Sequence, residues 1–298
     1  MKYLSAAVLL LLSARAFAQQ DPLNAQYLST PLIINPAYTG LSRDLNLAIN
    51  YRRQWIGFEG NPQTANLSGH VALRNNKMGV GMIVLQDKIG SNNFTDVELT
   101  YGYHVPIAGD IKLSFGLQAG YINFKSDYSK LIIDPNDPQF NSTSIWQPNF
   151  GAGIILTSTK YMVAVSAPKM LKVSAENPGS GLYNRSFYAL GAYVIPLSER
   201  IRIRPYILYR SSDHSKSSYD LGANLLDVES YSVGAFTRNL STYGFTGQIN
   251  IGDRMRVGYA FELPTNQSAG VNYTTHELLI SFRLRAFQFH DIESIRSF

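Results

Sequence analysis

The feature that most constrains this chain is alternation. From Leu45 to Arg285, apolar residues recur at every second position in one stretch after another. Period two belongs to a strand with one apolar face, because successive side chains point to opposite sides of the pleat. No run approaches the ~18 consecutive apolar residues that a membrane-crossing helix needs. In hydrocarbon every backbone N–H and C=O has to be paired within the protein, so a chain that crosses with strands must close on itself. The sequence therefore predicts an all-β fold: a transmembrane antiparallel β-barrel of about 14 strands, preceded by an irregular plug-like segment.

An export signal fixes which membrane. Lys2 gives a small positive n-region, Ala6–Leu12 a short apolar core, and Ala16-Phe17-Ala18 a small-x-small cleavage pattern. A stretch this short is read as cleaved, not as an anchor. Residues 1–18 are expected to be the signal peptide, with the mature chain starting at Gln19. No cysteine stands there to carry a lipid. An exported barrel belongs in the cell outer membrane, crossing it many times.

Composition agrees where it bears on the question. The formal charge is +5, and losing Lys2 and Arg15 leaves +3, spread without clusters. That balance gives no footprint for nucleic acid. The absence of cysteine excludes a disulfide framework, thiolate metal sites and cysteine nucleophiles. Nineteen Tyr and 15 Phe supply the aromatic girdles of a barrel. Mean hydropathy near zero fits a wall that is apolar outside and polar inside.

Fourteen segments carry the pattern: Leu45–Arg53, Thr64–Leu73, Lys77–Leu85, Phe94–Val105, Ile111–Phe124, Pro148–Thr157, Lys160–Ala167, Ser186–Leu197, Ile201–Tyr209, Ser218–Leu226, Tyr231–Arg238, Tyr243–Ile251, Met255–Leu263 and His276–Leu284. The barrel is thus bounded at 44–285, with an irregular segment at 19–43 and a tail at 286–298. Asn75-Asn76, Ala108-Gly109-Asp110, Ser198-Glu199 and Gly252-Asp253 read as tight hairpin turns on a periplasmic face. Ile56–Gln63, Ser126–Gln147 and Lys169–Arg185 are long and belong on the opposite, outer face.

Four groups of residues invite a functional reading. Asp21–Gly40 carries Pro22, Pro31 and Pro36, which forbid a regular strand or helix, around an apolar Leu32-Ile33-Ile34. Pro31, Ile33, Ile34, Asn35, Pro36 and Tyr38 are the candidate plug residues, inside the barrel or across its periplasmic mouth; a loose tether is the alternative. Arg200, Arg202, Arg204 and Arg210 share one phase of a strand as a candidate basic lumen face. That face either meets an anion or acidic plug, or pairs with carboxylates on neighbouring strands. Trp55, Ile56 and Phe58 in one long loop and Trp146 in another are candidate partner contacts, and equally candidate girdle residues. Asp127, Asp134 and Asp137 lack EF-hand spacing, and turn chemistry explains them as well as calcium does. Nothing in the sequence asks for a cofactor. Neither G-x-S-x-G nor H-E-x-x-H occurs, and His276-Glu277 on a strand would point to opposite faces. The expectation is a protein that is not an enzyme.

An ordered series of short motifs goes further. It runs Asp21-Pro22, Gln26-Tyr27, Pro31, Asn35-Pro36-Ala37-Tyr38-x-Gly40, then Tyr51-Arg52-x-Gln54-Trp55-Ile56-Gly57 and Gly60-x-Pro62-x-Thr64. Gly79-x-Gly81, Asp87-Lys88-Ile89-Gly90, Tyr101-x-Tyr103 and Ser114-Phe115-Gly116-Leu117-x-Ala119-Gly120 follow. Asp134-Pro135-x-Asp137-Pro138, Pro148-Asn149-Phe150-Gly151-x-Gly153, Ser166-Ala167-Pro168, Arg256-x-Gly258-Tyr259 and His276-Glu277-Leu278-Leu279 complete it. In this order the chain resembles the PorP/SprF family of type IX secretion outer-membrane proteins of the Bacteroidetes. The tail beyond Arg285 departs from the family, which ends soon after the last strand. The resemblance implies a part in protein export beside periplasmic ring proteins of the PorK and PorN type. It also implies display of a large secreted adhesin through the adhesin's C-terminal sorting domain, in some members for gliding motility. Two other readings remain: a diffusion porin, which needs an open lumen, and a transporter of hydrophobic substrates. The transporter needs an apolar lumen pocket, which the Asn, Ser, Thr and Arg of the inner phase do not favour.

Overall fold

The computed structural model describes residues 24–73, 76–126, 143–171, 173–174, 181–183, 185–213, 215–227, 230–265 and 273–286. Residues 1–18, expected from sequence to be a signal peptide, Asp127, Asp134 and Asp137, and the tail beyond residue 286 lie outside these. The strands are β1 (Leu45–Arg53), β2 (Gln63–Ala72), β3 (Met78–Ile89), β4 (Asn92–Ala108), β5 (Ile111–Ser126), β6 (Thr143–Thr157) and β7 (Tyr161–Lys169). They continue as β8 (Ser186–Tyr193, prolonged by Ile195–Pro196), β9 (Ile201–Ser212), β10 (Ser215–Asp227), β11 (Tyr231–Arg238), β12 (Thr242–Ile251), β13 (Met255–Pro264) and β14 (Thr275–Leu284). Each pairs antiparallel with its neighbours in sequence, and β1 pairs with β14 from Leu45↔Leu284 to Arg53↔His276. The result is a closed 14-stranded up-and-down barrel without a free edge. Among the described residues no helix is long and apolar enough to cross a membrane.

Closure explains the alternation. Along β4 the outward residues are Val97, Leu99, Tyr101, Tyr103 and Val105, while Asp96, Glu98, Thr100 and His104 turn inward and are buried. Outward aromatics form two belts: Tyr51, Tyr121, Trp146, Tyr209, Tyr219 and Tyr243 toward one end, and Tyr103, Phe115, Tyr193, Tyr231 and Phe282 toward the other. Such belts sit at the two membrane interfaces. Trp146 is therefore not on a loop, as expected from sequence, but on the membrane-facing phase of β6.

All four turns read as tight from the sequence lie at one end, and the three long connections at the other. At the long-loop end, however, the β3–β4 and β11–β12 connections are as tight as those opposite. Gly90 has φ 58°, and Asn239 and Leu240 have φ 51° and 52°, the left-handed geometry that tight hairpin turns demand. At the short-turn end Asp110 accepts hydrogen bonds from the N–H and the hydroxyl of Thr159, both 2.7 Å, which hold its carboxyl below the usual range.

Candidate functional site

Residues 24–41 occupy the lumen. Proline stands at the first position of two single-turn 3-10 helices, Pro31–Ile33 and Pro36–Tyr38, where its missing N–H loses nothing. Asn35 caps the second: its Oδ1 accepts from Ala37 N (2.9 Å) and its Nδ2 donates to the carbonyls of Ile154 on β6 and Val165 on β7 (3.3 and 3.2 Å). Ser166 on β7 donates to Ile34 O (2.5 Å), and Thr39 Oγ1 bonds Thr100 Oγ1 on β4 (2.9 Å). Gly40 N donates to His70 Nδ1 on β2 (3.1 Å), and His104 Nε2 on β4 meets Thr39 O (3.0 Å). Ser29 meets Gln248 on β12, and Ala25 meets Glu277 on β14. A segment bound to strands around the whole circumference of a closed barrel can lie only inside it.

The inlet also finds an apolar wall. Tyr27, Ile34, Ala37, Tyr38 and Leu41 pack on Ile155, Met162 and Ala164, then Tyr188, Leu190, Tyr206, Leu208 and Phe236. The lumen thus carries an apolar patch, mostly on β6–β9, beside the Asn, Ser, Thr and charged residues read from sequence. Of the candidate plug residues, Pro31, Ile34, Asn35, Pro36 and Tyr38 are buried and Ile33 is half-buried. Two cavities beside the inlet measure about 40 Å³ and about 10 Å³. A buried water needs roughly 10–15 Å³ on this measure, so each holds a few waters at most.

Lumen-facing glycines make room for the inlet, a role that no local pattern announces. A methyl group on Gly116 would overlap the backbone of Pro36 and Ala37, and one on Gly102 the carbonyl of Thr39. Backbone cannot step aside as a side-chain tip can. The Gly102→Ala/Gly116→Ala pair is therefore expected to displace residues 36–39 while leaving the strands paired. Chymotrypsin cleavage at Tyr38 would report it: rapid cutting in the variant, and none in the parent over the same time. Equal resistance would refute the fit.

Buried ion pairs frame the long-loop half of the lumen. Arg52 on β1 binds Glu262 on β13 with two bonds (3.0 and 2.6 Å) and Glu277 on β14 (3.2 Å). Arg238 on β11 binds Asp220 with two bonds (2.9 and 3.0 Å) and reaches Glu262 (3.4 Å). Glu277 also accepts from the N–H groups of Ala25 and Gln26 (2.6 and 3.0 Å) and from Asn50 (2.8 Å). These residues come from distant stretches; Arg52 and Glu277 stand in the sequence motifs, but nothing in the sequence pairs them, and Asp220, Arg238 and Glu262 were not singled out. The four candidate arginines do not form one face. Arg202, Arg204 and Arg210 point into the lumen at different heights on β9, whereas Arg200 sits exposed on the turn and pairs with Asp227 (3.4 Å). The turn leaves the strand before Ile201, so Arg200 never enters the strand's phase.

At the long-loop rim, Trp55 takes φ 56°, rare for a bulky residue. Its N–H meets Thr275 Oγ1 (3.4 Å), and Ile56 N bonds Thr274 O (2.9 Å). Trp55, Phe58 and Tyr273 stack edge to face, with centroids 6.3 and 5.8 Å apart. Trp55 is half-buried, and Ile56 and Phe58 are exposed. These backbone bonds tie the aromatic ledge, which lies in the β1–β2 connection, to the start of β14. Trp146 lies apart from it, in the outer aromatic belt.

A model of the family described as type IX secretion system membrane protein PorP/SprF matches residues 16–282. No protein of curated function matches the chain. Among solved structures, the CymD monoaromatic hydrocarbon channel is similar at TM-score 0.55 and 10% identity, over 90% of this chain and 94% of that one. The TodX monoaromatic hydrocarbon channel lacking S2 and S3 gives TM-score 0.50 and 8% identity, over 85% and 94%. Outer membrane protein Omp33 of Acinetobacter baumannii gives 0.48 and 14%, over 83% and 100%. At such identities the likeness to CymD and TodX is one of barrel fold alone.

Proposed function

This chain belongs to the PorP/SprF family of type IX secretion system membrane proteins, and from that premise we propose that it is a docking port for export. In this reading the outer-membrane barrel is an anchor whose lumen is plugged by residues 24–41. The long-loop rim holds the C-terminal sorting domain of a secreted adhesin. The short-turn end faces the periplasmic ring of PorK and PorN type, and residues 1–18 are removed on export. The protein acts as a secretion component, not an enzyme, and gliding is one process it would serve. The observation that carries the reading is the family match across residues 16–282. The occupied lumen supports a port over a diffusion pore, and the aromatic ledge of Trp55, Ile56 and Phe58 supplies anchors for a protein partner.

The test is purification of a tagged copy from detergent-solubilised outer membranes, followed by mass spectrometry. Ring lipoproteins or a large adhesin with a C-terminal sorting domain are the expected companions. Trp55→Ala with Phe58→Ala should sharply reduce recovery of the adhesin and leave the ring proteins in place. A barrel that emerges alone, or only with copies of itself, would favour a porin or a transporter of hydrophobic substrates instead.

A further inference from the structure

Between the inlet and the short-turn end the lumen turns basic. Lys112 of β5, Arg202 and Arg204 of β9, Arg256 of β13 and Arg283 of β14 all stand on inward phases of their strands. Arg204, Arg256 and Arg283 gather about Tyr38 at the inlet's lower turn, each within electrostatic reach of it. Arg256 is in turn within reach of both Arg204 and Arg283. Arg43, two residues before β1, is felt at Lys112 although four strands separate β1 from β5, so it lies across the mouth and not outside the wall. Arg204 is buried, and Arg43, Lys112, Arg202, Arg256 and Arg283 are half-buried.

Few carboxylates answer them. Among the described residues the buried carboxylate at this end is Asp44. Asp110, Glu199, Asp227 and Asp253 stand at the turns, where Asp110 binds Thr159 and Asp227 pairs with Arg200. The inward carboxylates collect in the long-loop half, with Asp220, Glu262 and Glu277 in the network of Arg52 and Arg238. A cleft of one sign of charge inside a low-dielectric wall focuses its field at the opening and concentrates the opposite charge there. The guanidinium groups add paired donors that match a carboxylate. Position narrows the occupant further. Lipid phosphates lie outside the wall, whereas these side chains point inside it. β5, β9 and the β13–β14 pair divide the ring into near thirds, and strands sit about 4.8 Å apart, so the three groups are rooted roughly 19 Å or more from one another along the wall. One small anion meets one group and leaves the others; a chain with several carboxylates meets them all.

We infer that this basic mouth docks an acidic segment of a periplasmic protein. The segment enters from the short-turn end and lies beneath Pro36–Tyr38, with its carboxylates on Arg204, Arg256 and Arg283 to one side and on Lys112 and Arg43 to the other. The inference rests on the docking-port reading only in taking the short-turn end as periplasmic.

The experiment adds a fluorescein-labelled deca-glutamate peptide to the full-length barrel in zwitterionic detergent and follows its anisotropy. Saturable binding that fades as salt rises is expected, with deca-lysine and deca-glutamine peptides ignored. Arg256→Gln with Arg283→Gln should weaken binding roughly tenfold or more. Lys112→Gln, across the mouth, should weaken it as well, and it reads the loss if the double variant does not fold. Lys77→Gln with Lys160→Gln, both exposed on the turns, should leave it unchanged. Three results would overturn the inference: no peptide bound by the parent, a loss from the turn variants as large as from the lumen ones, or displacement by an equal concentration of inorganic phosphate, which would make the mouth a small-anion site. The two readings fail separately. If the tagged parent brings down its companions while the peptide does not bind, the port stands and the acidic segment falls. If the peptide binds while the barrel emerges alone, the basic mouth stands and the port falls.

Discussion

Reconstituted into a planar bilayer, the full-length chain gives no steady current, and a variant lacking residues 24–41 shows resolved unitary steps. This is the expected result, and it follows from which bonds belong to which part. The ladder pairs strand with strand around the circle and uses no hydrogen bond from the inlet. The inlet's bonds run to lumen-facing side chains, or to strand carbonyls such as Ile154 O and Val165 O. Removing it leaves the wall closed. A 14-stranded wall is wide enough to need filling, as barrels only slightly larger enclose aqueous channels. The deletion does expose Tyr188, Leu190, Leu208 and Phe236 to water, each worth about 1.5–3 kcal/mol of burial, so the variant is less stable. Heat-modifiable migration in detergent gels would show whether it still folds. A folded deletion variant that stays silent, or a parent chain that conducts, would refute the plugged lumen.

The wall was legible in the sequence for a physical reason. Lipid demands an apolar outer face, so every strand crossing the apolar band carries period two. The pattern fades where a strand outruns the band. β4 starts at Asn92 and not at Phe94, and β6 at Thr143 and not at Pro148, because the ladder continues where outward residues turn polar, as at Asn93, Thr95 and Lys125. That is why Trp146 read as a loop residue. The inside was less legible, because no solvent imposes a period on it. Leu190 and Leu208 face inward only because the inlet's Tyr27 and Ile34 cover them. Arg52, Glu262 and Glu277 meet only when β1 closes on β14 and β13, and no local spacing records that closure. The prolines of the inlet announced irregular backbone, but only the partners of Asn35 and Gly116 reveal where it sits.

Glu277→Ala should release the start of the inlet and weaken the barrel's closing seam together. Its carboxylate is 1% exposed and accepts from Ala25 N, Gln26 N, Asn50 Nδ2 and Arg52 Nη1. One side chain on β14 therefore serves both the inlet and β1. Truncation leaves two inlet amides and Asn50 unsatisfied, and Arg52 with Glu262 alone; removing one partner from a buried ionic network costs roughly 3–5 kcal/mol. Glu277→Gln keeps the shape and one accepting oxygen but turns an NH2 toward groups that only donate, so it should fall between parent and Ala. Chymotrypsin cutting at Tyr27 and the temperature of heat-modified migration would follow that order. An Ala variant as resistant as the parent would sink the assignment. The two roles are separable by a double-mutant cycle with the deletion of residues 24–41. If the inlet amides dominate, Glu277→Ala costs much less once the inlet is gone. If Arg52 and Asn50 dominate, the cost is unchanged, and the carboxylate belongs to the seam.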